Sequence, residues 1–184
     1  MSAQPSLLTI RVIGDAILRR RAEEVRDIDD ELKCFAVDFT HTMYQKDGVG
    51  LAAPQVGVSR RLIVVDPHWA REGKARQPLL MINPVIESVS GVTETEEGCL
   101  SLPGIYAHVE RPANITVSYT DLEGQRLAQS LSGYPAVVIQ HEIDHLDGVL
   151  FVDHLGTLAR LKLKRRIKEL ESRTVNGVNL LAEE

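Results

Sequence analysis

Three residues in one short stretch have the types and spacing for metal chemistry: His141, Glu142 and His145, within Gln140-His141-Glu142-Ile143-Asp144-His145-Leu146-Asp147-Gly148. H-E-x-x-H is a metal-site signature when it lies on a helix. At 3.6 residues per turn the two histidines sit roughly 40° apart around the axis and about 6 Å apart along it, so both imidazoles can reach one ion. Glu142 is rotated about 100° from His141, too far to be an obvious third ligand but well placed to touch a metal-bound water. The bland alternative is a helix with two ordinary histidines and a solvated glutamate.

A catalytic metal needs a third protein ligand and an open position. In the longer pattern H-E-x-x-H-x-x-G-x-x-H, Gly148 matches but Phe151 stands where the last histidine belongs. Glu169 or Glu171 would complete a different zinc site, yet both lie among basic residues. His154 has no helical register with the pair. Cys99 lies in Glu96-Glu97-Gly98-Cys99-Leu100-Ser101-Leu102-Pro103-Gly104, where glycines and a proline leave the backbone irregular and approachable. A thiolate with two imidazoles is an established catalytic set, but a packed, unreactive thiol fits this residue equally well. The residues alone leave that choice open.

The elements that must position these groups are partly legible. Pro135 suits a first helical turn, Ala136 to Ile139 and Ile143 supply an apolar run, and Gly148 stops it, so the motif falls on a helix. Ile28, Leu32, Phe35, Phe39 and Met43 form an apolar stripe that predicts a second helix over 27–44, capped by Asp29 or Asp30. Cys34 and His41 on it read as structural or exposed. Asp47 to Gly57 holds three glycines and a proline, which excludes regular helix and suggests backbone held close to something. Besides Asp47, Gln55 is its one polar side chain, and it lacks the Gly-Lys-Ser/Thr ending of a phosphate loop.

Residues 7–13 read as an extended segment and 18–26 as a loop or short turn. Strands are expected at 61–66 and 79–86, joined by a charged linker with a solvated His68. Asn114 to Thr120 alternates with period two, Asp121 to Gly124 turns, and Gln125 to Leu131 returns as a hairpin. Leu158 to Arg173 is a basic helix expected to pack through Leu158, Leu161, Ile167 and Leu170. Its cationic face reads first as solvated, with docking on an anionic surface such as RNA as the alternative. The tail 174–184 is expected to be loose. Strands in succession followed by helices predict one α+β domain over 1–184, with mixed or antiparallel strands around a central metal-binding helix and a C-terminal helix.

Composition narrows the function class. Of 184 residues, 43% are hydrophobic and 26% charged, as in ordinary globular domains. A net charge of −5 argues against specific nucleic-acid binding. Two cysteines without a pairing signature favour a reducing compartment. No apolar run is long enough to cross a membrane, and the first residues lack signal-peptide character, so the expectation is a cytoplasmic protein.

Gly48-Val49-Gly50-Leu51-Ala52-Ala53-Pro54-Gln55, Glu97-Gly98-Cys99-Leu100-Ser101 and Gln140-His141-Glu142-Ile143-Asp144-His145 together resemble the three signature motifs of the peptide deformylases, in that family's order. The resemblance runs over nearly the whole chain, with Gly14 departing from the proline expected there. It implies removal of the formyl group from N-formyl-methionyl nascent peptides, releasing formate. It further implies Cys99, His141 and His145 as ligands of one divalent ion, commonly ferrous iron, with zinc, nickel or cobalt as alternatives. Glu142 would be the general acid/base, with the Gln55 amide and Leu100 N–H as donors to the developing oxyanion. Val49, Gly50, Glu97, Tyr134 and Val137 would line the methionine pocket. The runner-up is an H-E-x-x-H endopeptidase ligated by Glu169 or Glu171. A third class is a non-enzymatic, ribosome-associated module in which the basic C-terminal helix matters most; weak ribosome association is an expectation for the enzyme too.

Overall fold

A computed structural model of the protein describes residues 4–69 and 75–182. The fold is built outward from the helix that carries H-E-x-x-H. Among the described residues, three helices, α1 (Asp30–Gln45), α2 (Tyr134–Leu146) and α3 (Thr157–Glu171), accompany seven strands. The strands are β1 (Gly50–Ala52), β2 (Leu62–Val65), β3 (Leu79–Ser90), β4 (Thr93–Cys99), β5 (Leu102–Arg111), β6 (Asn114–Thr120) and β7 (Arg126–Ser132). They form a five-stranded antiparallel sheet, ordered β1-β2-β3-β6-β7, and a separate hairpin of β4 and β5. This is an α+β fold.

Strand β2 shows why the sheet is apolar at its centre. Ile63 and Val65 pack with Val138, Ile139, Ile143 and Leu146 of α2, whereas Leu62 and Val64 pack with Leu32, Phe39 and Met43 of α1. All four β2 residues are buried, as expected of a strand covered on both faces. Pro135 sits in the first turn of α2, and Gly148, at φ +73°, lies just past its end. A Cβ at Gly148 would stand 2.8 Å from the Arg19 carbonyl carbon, so this turn demands glycine twice over. A third cluster joins Val12 and Ile13 to Ile105 and Val109 of β5, to Phe151 in the 3₁₀ turn after α2, and to Leu170 of α3.

Several expectations need correction. The β4–β5 hairpin was not anticipated, because β4 reads Thr-Glu-Thr-Glu-Glu-Gly-Cys and exposes Glu94 and Glu96. Cys99 therefore ends a strand instead of sitting on irregular backbone, although the pairing slips register between Gly98 and Cys99. The glycine-rich stretch contains β1 and a 3₁₀ turn, Ala53–Val56. α1 starts at Asp30, with Asp29 Oδ1 accepting from Leu32 N–H at 2.8 Å. On α3, Leu158 and Leu161 are 76% and 62% exposed; Leu163, Ile167 and Leu170 make the packing face.

The tail is held as far as Leu181. Buried Asn179 donates to the carbonyls of Ile13 (2.7 Å) and Leu170 (2.8 Å), and Leu181 N–H donates to Ile10 (2.9 Å). Residues 183 and 184 lie outside the described residues, as does part of the expected 68–77 linker. His68 is half-buried, not solvated. Among the described residues, no helix is long and apolar enough to cross a membrane.

Candidate metal centre and active site

The end of β4 and one side of α2 bring Cys99, His141 and His145 together, with donor atoms all within 4.8 Å of one another. Cys99 Sγ lies 3.2 Å from His145 Nε2, and the two imidazole rings meet edge to face at 5.0 Å. Among the described residues no other three His, Cys, Asp or Glu groups converge in this way. Glu169 and Glu171 are exposed on α3, and His154 Nε2 is hydrogen-bonded to Asp144 at 2.7 Å. Phe151 stacks on the His141 ring at 6.1 Å. Cys34 is exposed on α1 and His41 half-buried, both apart from this group.

Hydrogen bonds set the ligand orientation. His141 Nδ1–H donates to Glu97 Oε2 at 2.8 Å, which leaves Nε2 as the atom that would hold a metal. Glu97 is buried, and Arg111 grips both its oxygens, with Nη2 at 3.0 Å from Oε2. Arg111 Nη1 also donates to Asp144 Oδ2 at 2.8 Å. Burial alone would push the Glu97 carboxyl up; the bonds from His141 and Arg111 reverse this and hold it down at about 2. Burial likewise opposes charge on His141, but Cys99 and Glu97 outweigh it and raise its pKa. A metal held at Nε2 would displace that proton. His145 is pushed well down, by burial first and then by His141, and so stays neutral and able to ligate.

Glu142 stands beside this group with a different environment. Burial is the chief cause that pushes its carboxyl up to about 7, near the range suited to a general base at neutral pH. Its Oε2 has no hydrogen-bond partner among the described residues. A Cβ at Gly50 would come within 2.4 Å of Glu142 Oε1, so a bare glycine at this point makes room for the carboxylate. Gln55, 2% exposed, accepts from Ala52 N–H at 2.8 Å through Oε1. That bond turns its Nε2 toward Cys99 Sγ at 3.4 Å and Ser101 Oγ at 3.3 Å. Leu100 occupies the turn between β4 and β5.

These groups open into a cleft of about 550 Å³. Val49, Gly50, Glu97, Tyr134 and Val137 all border it. Val137 is buried one turn before His141, and Tyr134 is 40% exposed at the start of α2. Glu97 borders the cleft while its carboxylate is taken up by His141 and Arg111. Arg111 and Asp144 escaped the sequence reading as site residues. Ile105, Val109 and Arg111 share the buried parity of β5, and a charged residue at a buried strand position requires a partner. That signal existed, but only for a reader who had already found β5.

Comparison with known proteins agrees with this geometry. Residues 7–161 match the family model described as polypeptide deformylase. A peptide deformylase of Alkalilimnicola ehrlichii is 47% identical over 165 residues, covering 90% of this chain and 91% of that protein. The crystal structure of a Synechococcus elongatus peptide deformylase in complex with actinonin is similar at TM-score 0.82 and 43% identity, over 97% of this chain and 95% of that one. The Thermus thermophilus peptide deformylase structure matches at TM-score 0.83 and 41% identity, over 91% and 99%.

Proposed function

This chain belongs to the polypeptide deformylase family and is a peptide deformylase, and we propose how its own residues carry out the reaction. The observation that carries the reading is the convergence of Cys99, His141 and His145 within 4.8 Å, beside a buried Glu142. Three donors, one thiol and two imidazoles, fit a divalent ion with an open position. We propose ferrous iron as the native ion, with zinc, nickel and cobalt able to substitute, since imidazole and thiolate suit all of them. When bound, the ion supplies Lewis acidity and makes a water nucleophilic at neutral pH.

The remaining steps belong to the protein. Glu142 takes the proton of the attacking water and delivers it to the departing amine. The Gln55 Nε2–H and the Leu100 N–H donate to the oxygen that becomes negative as the formyl carbon is attacked. Glu97, held by Arg111, fixes the His141 ring through Nδ1, so that Nε2 would be the atom holding the ion. Val49, Gly50, Tyr134 and Val137 shape the cleft for the methionine side chain. The substrate is an N-formyl-methionyl nascent peptide, and the product side yields formate.

The test is formate release from a short formyl-methionyl peptide, with protein purified anaerobically and loaded with ferrous iron or nickel. Rapid release that Glu142→Ala abolishes, with the peptide chain left uncut, is the expected result; cleavage inside the peptide overturns the assignment. Actinonin, present in the Synechococcus relative's structure, is expected to inhibit.

We propose a bacterial-type cytoplasm as its compartment, where such substrates arise. Arg160, Lys162, Lys164, Arg165, Arg166 and Lys168 are all exposed on α3, in a protein of net charge −5. That cationic face supports weak docking on the ribosome, an anionic surface. Unchanged ribosome co-sedimentation after charge reversal at Lys164, Arg165 and Arg166 removes it.

A further inference from the structure

The Gly48-Val49-Gly50 stretch forms one wall of the cleft and touches Glu142, yet two of its three residues have no side chain with which to anchor it. Its backbone is tethered instead. Gly48 N–H donates to the Met43 carbonyl at 2.9 Å, Asp66 N–H donates to the Val49 carbonyl at 2.8 Å, and Gly50 pairs with Val65. One further tether comes from a side chain: Trp69 Nε1–H donates to the Gly48 carbonyl at 2.8 Å.

The indole is itself clamped. Its ring meets Tyr44 edge to face at 5.2 Å, and the Arg76 guanidinium lies 4.4 Å over Tyr44 and 5.4 Å from the Trp69 ring. Tyr44 O–H donates to Asp66 Oδ2 at 2.7 Å, which also accepts from Gln77 N–H at 2.7 Å. None of these clasp residues borders the cleft.

We propose that Trp69 is a positioning residue for deformylation, fixing the cleft wall at Val49 and Gly50 through its hydrogen bond to the Gly48 carbonyl. The inference rests on the deformylase reading of that cleft. A peptide unit is planar, so holding one carbonyl fixes the direction in which the next residue leaves. The next residues are Val49, which borders the cleft, and Gly50, whose bare Cα faces the Glu142 carboxylate. Cys99, His141 and His145 lie on other elements, β4 and α2, with no contact to the indole in this clasp. Loss of the donor therefore loosens substrate binding more than it alters the reacting groups.

Trp69→Phe keeps an aromatic ring against Tyr44 and removes the N–H. In the metal-loaded enzyme, KM for a formyl-methionyl tripeptide is expected to rise about five- to tenfold, with kcat changed by less than about twofold. Trp69 is also the only tryptophan in the chain, so indole emission reads this contact directly. The deformylated product peptide Met-Ala-Ser should change the emission of the wild type, and less so in Arg76→Met, where the clamp is weakened. Unchanged KM and kcat in Trp69→Phe, or a lowered melting temperature as the sole effect, overturn the proposal. If Trp69→Phe fails to fold, the emission response to Met-Ala-Ser decides: a change supports the coupling and none refutes it. Wild-type formate release, measured first, tests the activity by itself. Were it absent, the emission response would still judge Trp69 separately.

Discussion

The helix α2 and the β4–β5 hairpin each supply part of one site, and they are made in opposite ways. α2 contributes His141, Glu142 and His145 from five consecutive residues, so one turn of local geometry places all three. The hairpin contributes Cys99 from the end of β4, and its Glu97 and Arg111, fourteen residues apart, hold His141 from behind. One half is set by periodicity, the other by a buried charge pair that forms only once the chain has folded back. A metal ligand can be cheap in sequence and costly in folding.

The largest expected effects break the pairing of the two regions. Cys99→Ala, from the hairpin, and His145→Ala, from the helix, should both lose the ion on desalting. Activity should fall beyond the 10–100-fold that removal of an outer partner typically causes. Metal content measured against protein concentration checks this. A Cys99→Ala protein that keeps its full metal content would show that the hairpin is not half of the site.

Arg111→Met probes the hairpin's second contribution, the orientation of His141. With its guanidinium gone, Glu97 is left as a buried charge with His141 as its remaining partner. Folding stability should drop by about 3 kcal/mol, the lower edge for breaking a buried pair, and metal affinity by roughly tenfold or more. The double variant Glu97→Gln with Arg111→Met should recover most of the stability, since Glu97 no longer strands a charge and Asp144 keeps its bond to His154, but not metal affinity. Denaturant melts and metal titrations separate the two. Recovery of both would mean that the pair holds up the hairpin without orienting the ligand.

The same contrast explains what could be read in advance. H-E-x-x-H, its helix and the β6–β7 hairpin announce themselves through local period and turn residues. β4 does not: its outward glutamates mask the strand pattern, and its pairing with β5 is invisible without the partner. Cys99 could be separated from an ordinary packed thiol only by the family resemblance, because nothing in its neighbours points to two histidines more than forty residues away. On α3 the expected face is half right: Ile167 and Leu170 pack in the Phe151 cluster, whereas Leu158 and Leu161 are exposed and Leu163 takes part instead. The tail was misjudged because Asn179, a polar residue, is what ties it down.

The smallest effect sharpens the comparison through two glutamates, one from each region, whose carboxyls are driven in opposite directions. Glu97 is held at about 2 by His141 and Arg111, whereas burial raises Glu142 to about 7. A carboxyl whose folded pKa is lowered contributes stability above its unfolded value, near 4.5, and loses it as pH falls toward 2. A carboxyl whose folded pKa is raised does the reverse. Between pH 4.5 and about 7 the unfolded chain has already released the proton that folded Glu142 retains, so stability falls across that window and levels off above it. In chelator-treated protein, Glu142→Gln should therefore gain on the wild type as pH rises through this range. The difference in melting free energy between the two proteins, followed from pH 4 to pH 8, checks the sign. A flat difference would mean that Glu142 is solvated in the folded state, and the helix would then lose its claim to a base tuned by burial.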